Sequence, residues 1–281
     1  VATVVWLNGE LLPIEQARIS PLDHGPLVGD GVFETLRVYD GVPFAWTRHV
    51  ARLRASAAGL GLSVPDGAVL RSAADAVIAA NGHAQARLRI TITGGPAPPG
   101  SSRDGSAGPT VFLLSFPMGD ARATTDVVVV PWTRNEGGAV AGLKTISYAE
   151  NVRALAYAEA RDAGEAVFAN TRGELCEATG SNVFVVRDGV VATPPAASGC
   201  LLGVTRALAL ELCASLGIPA EEKPLALAAL GAADEAFLSS TTREVQPIER
   251  VDGAVLPQAP GPVTERLALA FRDLVARNPD P

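Results

Sequence analysis

The stretch Val32-Phe33-Glu34-Thr35-Leu36-Arg37-Val38-Tyr39 alternates residue by residue and stops at Asp40-Gly41. A period of two is that of a pleated strand, and Asp-Gly is a hairpin signal, so this run commits the chain to a sheet. Other runs follow suit. Val4 to Glu10 reads as a strand entering the Asn8-Gly9 turn. Ala86 to Thr93 places Arg87, Arg89 and Thr91 on one face and Leu88, Ile90 and Ile92 on the other. Thr110–Phe116, Val127–Val130, Ala166–Asn170, Leu175–Glu177, Asn182–Val186, Val190–Thr193 and Glu235–Ser239 read as further strands. Helical spacing interleaves with them. It predicts helices over Trp46–Gly61, Asp66–Ala80, Tyr148–Asp162, Arg206–Leu216 and Val263–Ala276. Ser147 and Glu150 form a capping-box pattern for the third. Ile19–Leu27 is turn-rich, and Gly94–Gly108 is a long Gly/Pro/Ser loop. Strands and helices mixed in this way give an α/β (α+β) class.

The length allows one large domain or two ordinary ones. Pro117 to Asp120 is the best linker candidate. A net charge of −7 with no dense basic stripe argues against a nucleic-acid binder. No run is long enough to span a membrane, and no signal segment opens the chain. Cys176, Cys200 and Cys213 are odd in number and not paired as C-x-x-C, and His24, His49 and His83 form no ligand cluster. The expectation is a soluble cytoplasmic protein with no metal.

Only Lys144 and Lys223 are lysines among 23 basic residues. Arginine cannot shed its proton near neutral pH and attack a carbonyl; lysine can. Lys144 also stands just before a predicted helix, on an irregular segment. Gly203 precedes Val204-Thr205-Arg206 at a helix start, where free N–H groups and the helix dipole suit a phosphate. Ser240-Thr241-Thr242-Arg243 clusters hydroxyls at a strand end. An amine, a phosphate cradle and an acid for a ring nitrogen are what a pyridoxal phosphate enzyme needs.

The ordered set of motifs resembles the class IV aminotransferases, the pyridoxal phosphate enzymes of fold type IV, over nearly the whole chain. It comprises Gly29-Asp30-Gly31-Val32-Phe33-Glu34, His49-Val50-Ala51-Arg52-Leu53, Lys144 with its helix and Glu177-Ala178-Thr179-Gly180-Ser181-Asn182. It ends with Leu201-Leu202-Gly203-Val204-Thr205-Arg206 and Ser239-Ser240-Thr241-Thr242-Arg243-Glu244.

The resemblance implies two domains. A small N-terminal α/β domain would span residues 1–117 and a linker 118–124. A larger cofactor-binding domain with a barrel-like sheet would span 125–281, with pyridoxal 5'-phosphate between the domains. It implies Lys144 as the Schiff-base lysine and proton carrier, Arg52 on the phosphate and Glu177 on the pyridine nitrogen. Val204, Thr205 and Thr241 match further phosphate ligands, Leu201 the residue packed on the ring, and Tyr148 the contact to the ring hydroxyl. Phe33, Arg87, Arg89, Thr242 and Arg243 are the substrate candidates. The implied reaction is ping-pong transfer between an amino acid and a 2-keto acid in a homodimer. The runs at Lys144 and Ser240 look closest to the D-amino acid transaminase and aminodeoxychorismate lyase branches. The expected donor is a D-amino acid or an R-amine; release of pyruvate from aminodeoxychorismate is the alternative, and a non-catalytic binding protein a remote one. The loop Gly94–Gly100 lacks the arginine and histidine of the D-amino acid pattern, and Arg103 is the only arginine nearby.

Overall fold

A computed structural model describes residues 3–103, 107–119 and 122–281. Asp104, Gly105 and Ser106 of the predicted loop and Asp120 and Ala121 of the predicted linker lie outside the described residues. The chain divides into two compact units: Val1–Asp120 with Leu143–Ser147 and Pro279–Pro281, and Ala121–Gly142 with Tyr148–Asn278.

The first unit contains β1 (Val4–Leu7), β2 (Glu10–Pro13), α1 (His24–Val28), β3 (Gly31–Tyr39), β4 (Val42–Pro43), α2 (Trp46–Gly59), α3 (Gly67–Asn81), β5 (Ala86–Thr93) and β6 (Val111–Pro117). Its strands form one antiparallel sheet in the order β2-β1-β6-β5-β3-β4. The even residues of β3 and β5, Val32, Leu36, Val38, Leu88, Ile90 and Ile92, are buried with Leu53 and Ala57 of α2 and Leu70, Ala74 and Val77 of α3. Alternation in the strands and helical spacing in the helices thus meet in one core. The turn-rich segment contains the short helix α1, because Asp23 caps it by accepting from the Gly25 N–H. At the start of α2 no local side chain caps the helix. Asp280 accepts the Thr47 N–H at 2.9 Å instead, and the Pro279 carbonyl accepts the Ala45 N–H at 2.7 Å.

The second unit contains β7 (Thr125–Arg134), α4 (Ala149–Glu159), β8 (Glu165–Asn170), β9 (Leu175–Ala178), β10 (Asn182–Arg187), β11 (Val190–Thr193), α5 (Val204–Leu216), β12 (Ala220–Glu222), β13 (Glu235–Ser240), β14 (Glu244–Val251), β15 (Ala254–Val255) and α6 (Pro262–Arg277). Its sheet runs β12-β11-β10-β13-β14-β7-β8-β9 and curls into a half-barrel. It is mixed, with β7 parallel to both β8 and β14. Phe184 and Phe237 stack at 4.5 Å in its interior.

Two local readings need correction. β14 was not anticipated, because Pro247 and three charges suppress the strand signal. The strand forms all the same, with Pro247 opposite Phe237 and a bulge toward β7 at Ile248/Arg250. The expected capping box does not form. α4 starts after Tyr148 without a side-chain cap, and the Ser147 hydroxyl donates to the Gly29 carbonyl at 3.0 Å.

Candidate active site

Lys144 belongs to a strip laid against the start of β3. The Phe33 N–H donates to the Lys144 carbonyl at 3.0 Å, the Ile146 N–H donates to the Gly31 carbonyl at 2.9 Å, and Val32 and Thr145 form an antiparallel bridge. The Lys144 N–H donates to Ser56 Oγ of α2 at 3.0 Å. Lys144–Ile146 is therefore held along β3, and Lys144 is held from the other side by a helix. The side chain is half-buried, with Nζ 4.3 Å from the centre of the Phe33 ring. Lys223, the other lysine, sits half-exposed beside Glu221 at 2.6 Å, an ordinary surface pair. The structure thus separates the two lysines that composition could not.

His49, Arg52 and Ser56 share one flank of α2 at helical spacing. Arg52 donates from Nε and Nη2 to Glu34 at 2.6 and 2.8 Å, and His49 Nδ1 lies 2.7 Å from the same carboxylate. Burial alone would raise the Glu34 pKa. The charge and hydrogen bonds of Arg52, with those of His49, outweigh it and hold the pKa at about 2. Burial pulls His49 below its ordinary value; the bond to Glu34 opposes this, and the charges of Arg52 and Lys144 add to it. Of the three helix arginines, Arg52 alone joins this cluster. Arg54 is exposed and Arg48 Nε donates to the Pro281 carbonyl at 2.7 Å.

Phe33, Arg89 and Thr91 face the other side of the sheet from the α2/α3 core. The Arg89 guanidinium lies 3.8 Å from the centre of the Phe33 ring, and its Nε donates to Thr91 Oγ1 at 3.1 Å. Arg87 is exposed, one row further along the strand. Arg103 donates from Nε to Asp30 at 2.6 Å, pairs through Nη2 with the same carboxylate and donates to the Gly61 carbonyl at 3.2 Å. This fork fastens the loop to the start of β3.

The second unit gathers the remaining residues. Glu177 on β9 accepts the Leu201 N–H at 2.9 Å and lies 3.4 Å from Arg134 Nε. Arg134 also reaches Glu150 at 3.1 Å and Asn151 at 3.3 Å, with its guanidinium 4.3 Å from the centre of the Phe168 ring. α5 begins at Val204, with Thr205 in its first turn and glycine as its cap. No side chain on the cap residue competes for the first-turn N–H groups. A Cβ on Gly203 would meet Asn182 Oδ1 at 2.1 Å, while Asn182 Nδ2 donates to the Leu201 carbonyl at 2.7 Å. An open helix start on a tight glycine turn fits a phosphate ester. Thr241 and Thr242 lie half-buried in the turn between β13 and β14, with Thr242 Oγ1 3.5 Å from Ser240 Oγ. Arg243 is committed within this unit, donating to the Gly164 carbonyl at 2.6 Å and to Gln246, with Glu165 at 3.5 Å. Tyr148 is the half-buried cap residue of α4.

Sequence reasoning passed over Glu34, His49, Ser56 and Arg134. Glu34 carried a signal: it interrupts the apolar row Val32, Leu36, Val38, and a charge there requires a partner. Arg134 carried none, since an arginine at a strand end is ordinary. Among the described residues no cluster of His, Cys, Asp or Glu could hold a metal ion, and no helix is long and apolar enough to cross a membrane. The three cysteines are free and buried, and burial raises their pKa values, Cys200 and Cys213 to about 11. Such thiols are poor nucleophiles.

A putative branched-chain-amino-acid aminotransferase from Methanocaldococcus jannaschii is 32% identical to this chain, with 96% of each chain covered. A D-alanine aminotransferase from Bacillus licheniformis is 31% identical, also with 96% of each covered. The crystal structure of Escherichia coli branched-chain amino acid aminotransferase superposes with a TM-score of 0.92 at 31% identity, covering 98% of this chain and 95% of that one. The family model for amino-transferase class IV matches residues 31–251. The chain belongs to the class IV aminotransferases, pyridoxal phosphate-dependent enzymes of fold type IV.

Proposed function

We propose that this enzyme transfers the amino group of a D-amino acid to a 2-keto acid in a ping-pong cycle. The observation that carries the reading is the pair of cations on one ring: Lys144 Nζ at 4.3 Å and the Arg89 guanidinium at 3.8 Å from the centre of Phe33. An amine next to a carboxylate receptor suits an amino acid; a simple R-amine has no use for Arg89. The other arginines of the substrate set serve less directly. Arg87 is one row away, Arg243 is tied to Gly164 and Gln246, and Arg103 is tied to Asp30. Thr242 completes the polar turn near Thr241.

Pyridoxal phosphate supplies the electron sink for the carbanion formed at the substrate α-carbon. The residues have separate tasks. Lys144 would hold the cofactor through its aldehyde and, as a free amine, would move a proton at the substrate α-carbon. Arg52, the N–H groups of Val204 and Thr205, and Thr241 hold the phosphate. Glu177 keeps the ring nitrogen protonated, Leu201 packs on the ring and Tyr148 meets the ring hydroxyl.

The D configuration is supported by the runs at Lys144 and Ser240 and by the likeness to the Bacillus licheniformis D-alanine aminotransferase. The likeness to branched-chain aminotransferases supports L-leucine as the second reading. Purified enzyme mixed with D-alanine, L-leucine or (R)-1-phenylethylamine, each without acceptor, decides by loss of the visible band of lysine-bound cofactor. D-alanine is expected to bleach it fastest. Bleaching by L-leucine or the amine alone overturns the D assignment. Pyruvate released from aminodeoxychorismate without a keto acid overturns the transaminase reading. A homodimer in the cytoplasm completes the proposal, supported by the family resemblance and by three unpaired cysteines. Sedimentation at micromolar concentration tests the dimer.

A further inference from the structure

Glu34 is a carboxylate with no solvent exposure, in the apolar row that β3 turns toward α2 and α3. Burying an ionised carboxylate costs several kcal/mol, and an aliphatic residue of similar size would usually fill such a position at least as well. The arrangement around it is specific. Arg52 contacts it through Nε and Nη2, one edge of the guanidinium, at 2.6 and 2.8 Å. His49 fixes the carboxylate from a third direction at 2.7 Å. A lone arginine on a helix samples many rotamers; a two-point grip on one edge fixes the plane of the fork and turns the Nη1 edge away from Glu34. The same strand, one residue earlier, is bonded to Lys144 through the Phe33 N–H. The arginine plane and the lysine backbone are therefore set by adjacent residues of one strand.

We infer that Glu34 is the positioning residue for Arg52: it presets the guanidinium plane that receives the cofactor phosphate, with His49 as its brace. The inference rests on the proposed phosphate role of Arg52. Glu34 is assigned no contact of its own with the cofactor; it acts through Arg52. Its effect is on affinity for a phosphorylated ligand, not on the chemistry at Lys144.

The test compares pyridoxal 5'-phosphate with pyridoxal, which has the same aldehyde and no phosphate. Full-length protein freed of cofactor is titrated with each, following the visible band of the lysine-bound form, and the ratio of the two dissociation constants is the readout. Wild type is expected to prefer the phosphorylated compound strongly. Glu34→Gln should reduce that preference by about 10-fold or more while leaving pyridoxal binding within about 2-fold, since one ion-paired hydrogen bond is at stake. Glu34→Asp should recover part of it. In the pair Glu34→Gln/Arg52→Gln, which leaves no buried charge unpaired, the preference should equal that of Arg52→Gln alone. A Glu34→Gln preference equal to wild type, or a double variant much worse than Arg52→Gln, overturns the inference. An unchanged preference in Arg52→Gln overturns the phosphate role of Arg52 instead, and the inference with it. A fold defect in Glu34→Gln leaves the aspartate and double variants to decide.

Discussion

Phe33 and Lys144 meet twice, through a backbone hydrogen bond of 3.0 Å and through the 4.3 Å approach of Nζ to the ring. The first contact belongs to the main chain and survives any change of side chain. The second is lost when the amine is removed. Position and reactivity of the lysine are therefore separable.

Lys144→Ala should remove activity and spare the fold. Transamination should fall by about 10³-fold or more, since the proposed roles of Lys144 make it both the covalent link and the proton carrier. The free energy of unfolding should move by no more than about 1 kcal/mol. Steady-state assays and urea titration check both; full turnover in the variant would sink the assignment.

Ser56 has the opposite profile. Its hydroxyl accepts the Lys144 N–H, and it is buried. Ser56→Ala leaves that N–H without its acceptor, which should cost about 1 kcal/mol of stability. The amine remains but its backbone loosens, so kcat should fall several-fold with KM little changed. An unchanged kcat would show that the strand bonds alone position the lysine.

Glu34 and His49 together set an acid limit. Glu34 titrates near 2 in the folded protein against 4.5 as its ordinary value. Its stabilising effect, of order 3 kcal/mol, is complete above pH 4.5 and is lost as pH falls toward 2. His49 is held below 6.5, so the unfolded chain takes up its proton first, and stability begins to decline as pH drops below 6.5. Urea unfolding at a series of pH values should show the decline in two stages. His49→Gln should flatten the upper stage and also weaken the lower one, because His49 is one of the groups that hold Glu34 low.

Gly203 is fixed by space, since its backbone angles are ordinary (φ −67°). A methyl group there would overlap Asn182 Oδ1 at 2.1 Å. Gly203→Ala should destabilise by about 1–3 kcal/mol and should shift the first turn of α5. Cofactor affinity should fall about 10-fold, measured by the same titration, with pyridoxal binding spared. Equal loss for both compounds would mean that the turn supports the fold and not the phosphate.

Much of this was legible in the residues. Period-two runs at Val32–Tyr39 and Ala86–Thr93 located the central strands, because one face of each is buried against helices. The lysine count narrowed the reactive amine to Lys144 or Lys223. What stayed hidden depends on contacts far apart in sequence. Ser147 looked like a cap because only its own helix was in view, yet its partner is the Gly29 carbonyl. β14 was hidden by Pro247, whose local preference is overridden by pairing with Phe237. Arg48 and Arg52 lie one turn apart on the same flank of α2, and helical spacing alone does not separate them. Only the position of Glu34 on a strand separates them, and Arg134 needed Glu177 in the same way.

The first unit is assembled from three separate stretches, and this has a consequence for how the protein is made. Synthesis runs from the N-terminus, so residues 1–120 emerge with an open edge where Leu143–Ser147 will lie. Lys144 joins that sheet only after the ribosome has moved on into the second unit. The acceptors that close the start of α2, Pro279 and Asp280, follow the whole of the second unit in the chain. No single cut can release either unit whole. The helix that carries Arg52 is thus closed only after the second unit has been made, and a nascent chain stalled anywhere short of residue 279 holds Arg52 on an unfinished helix.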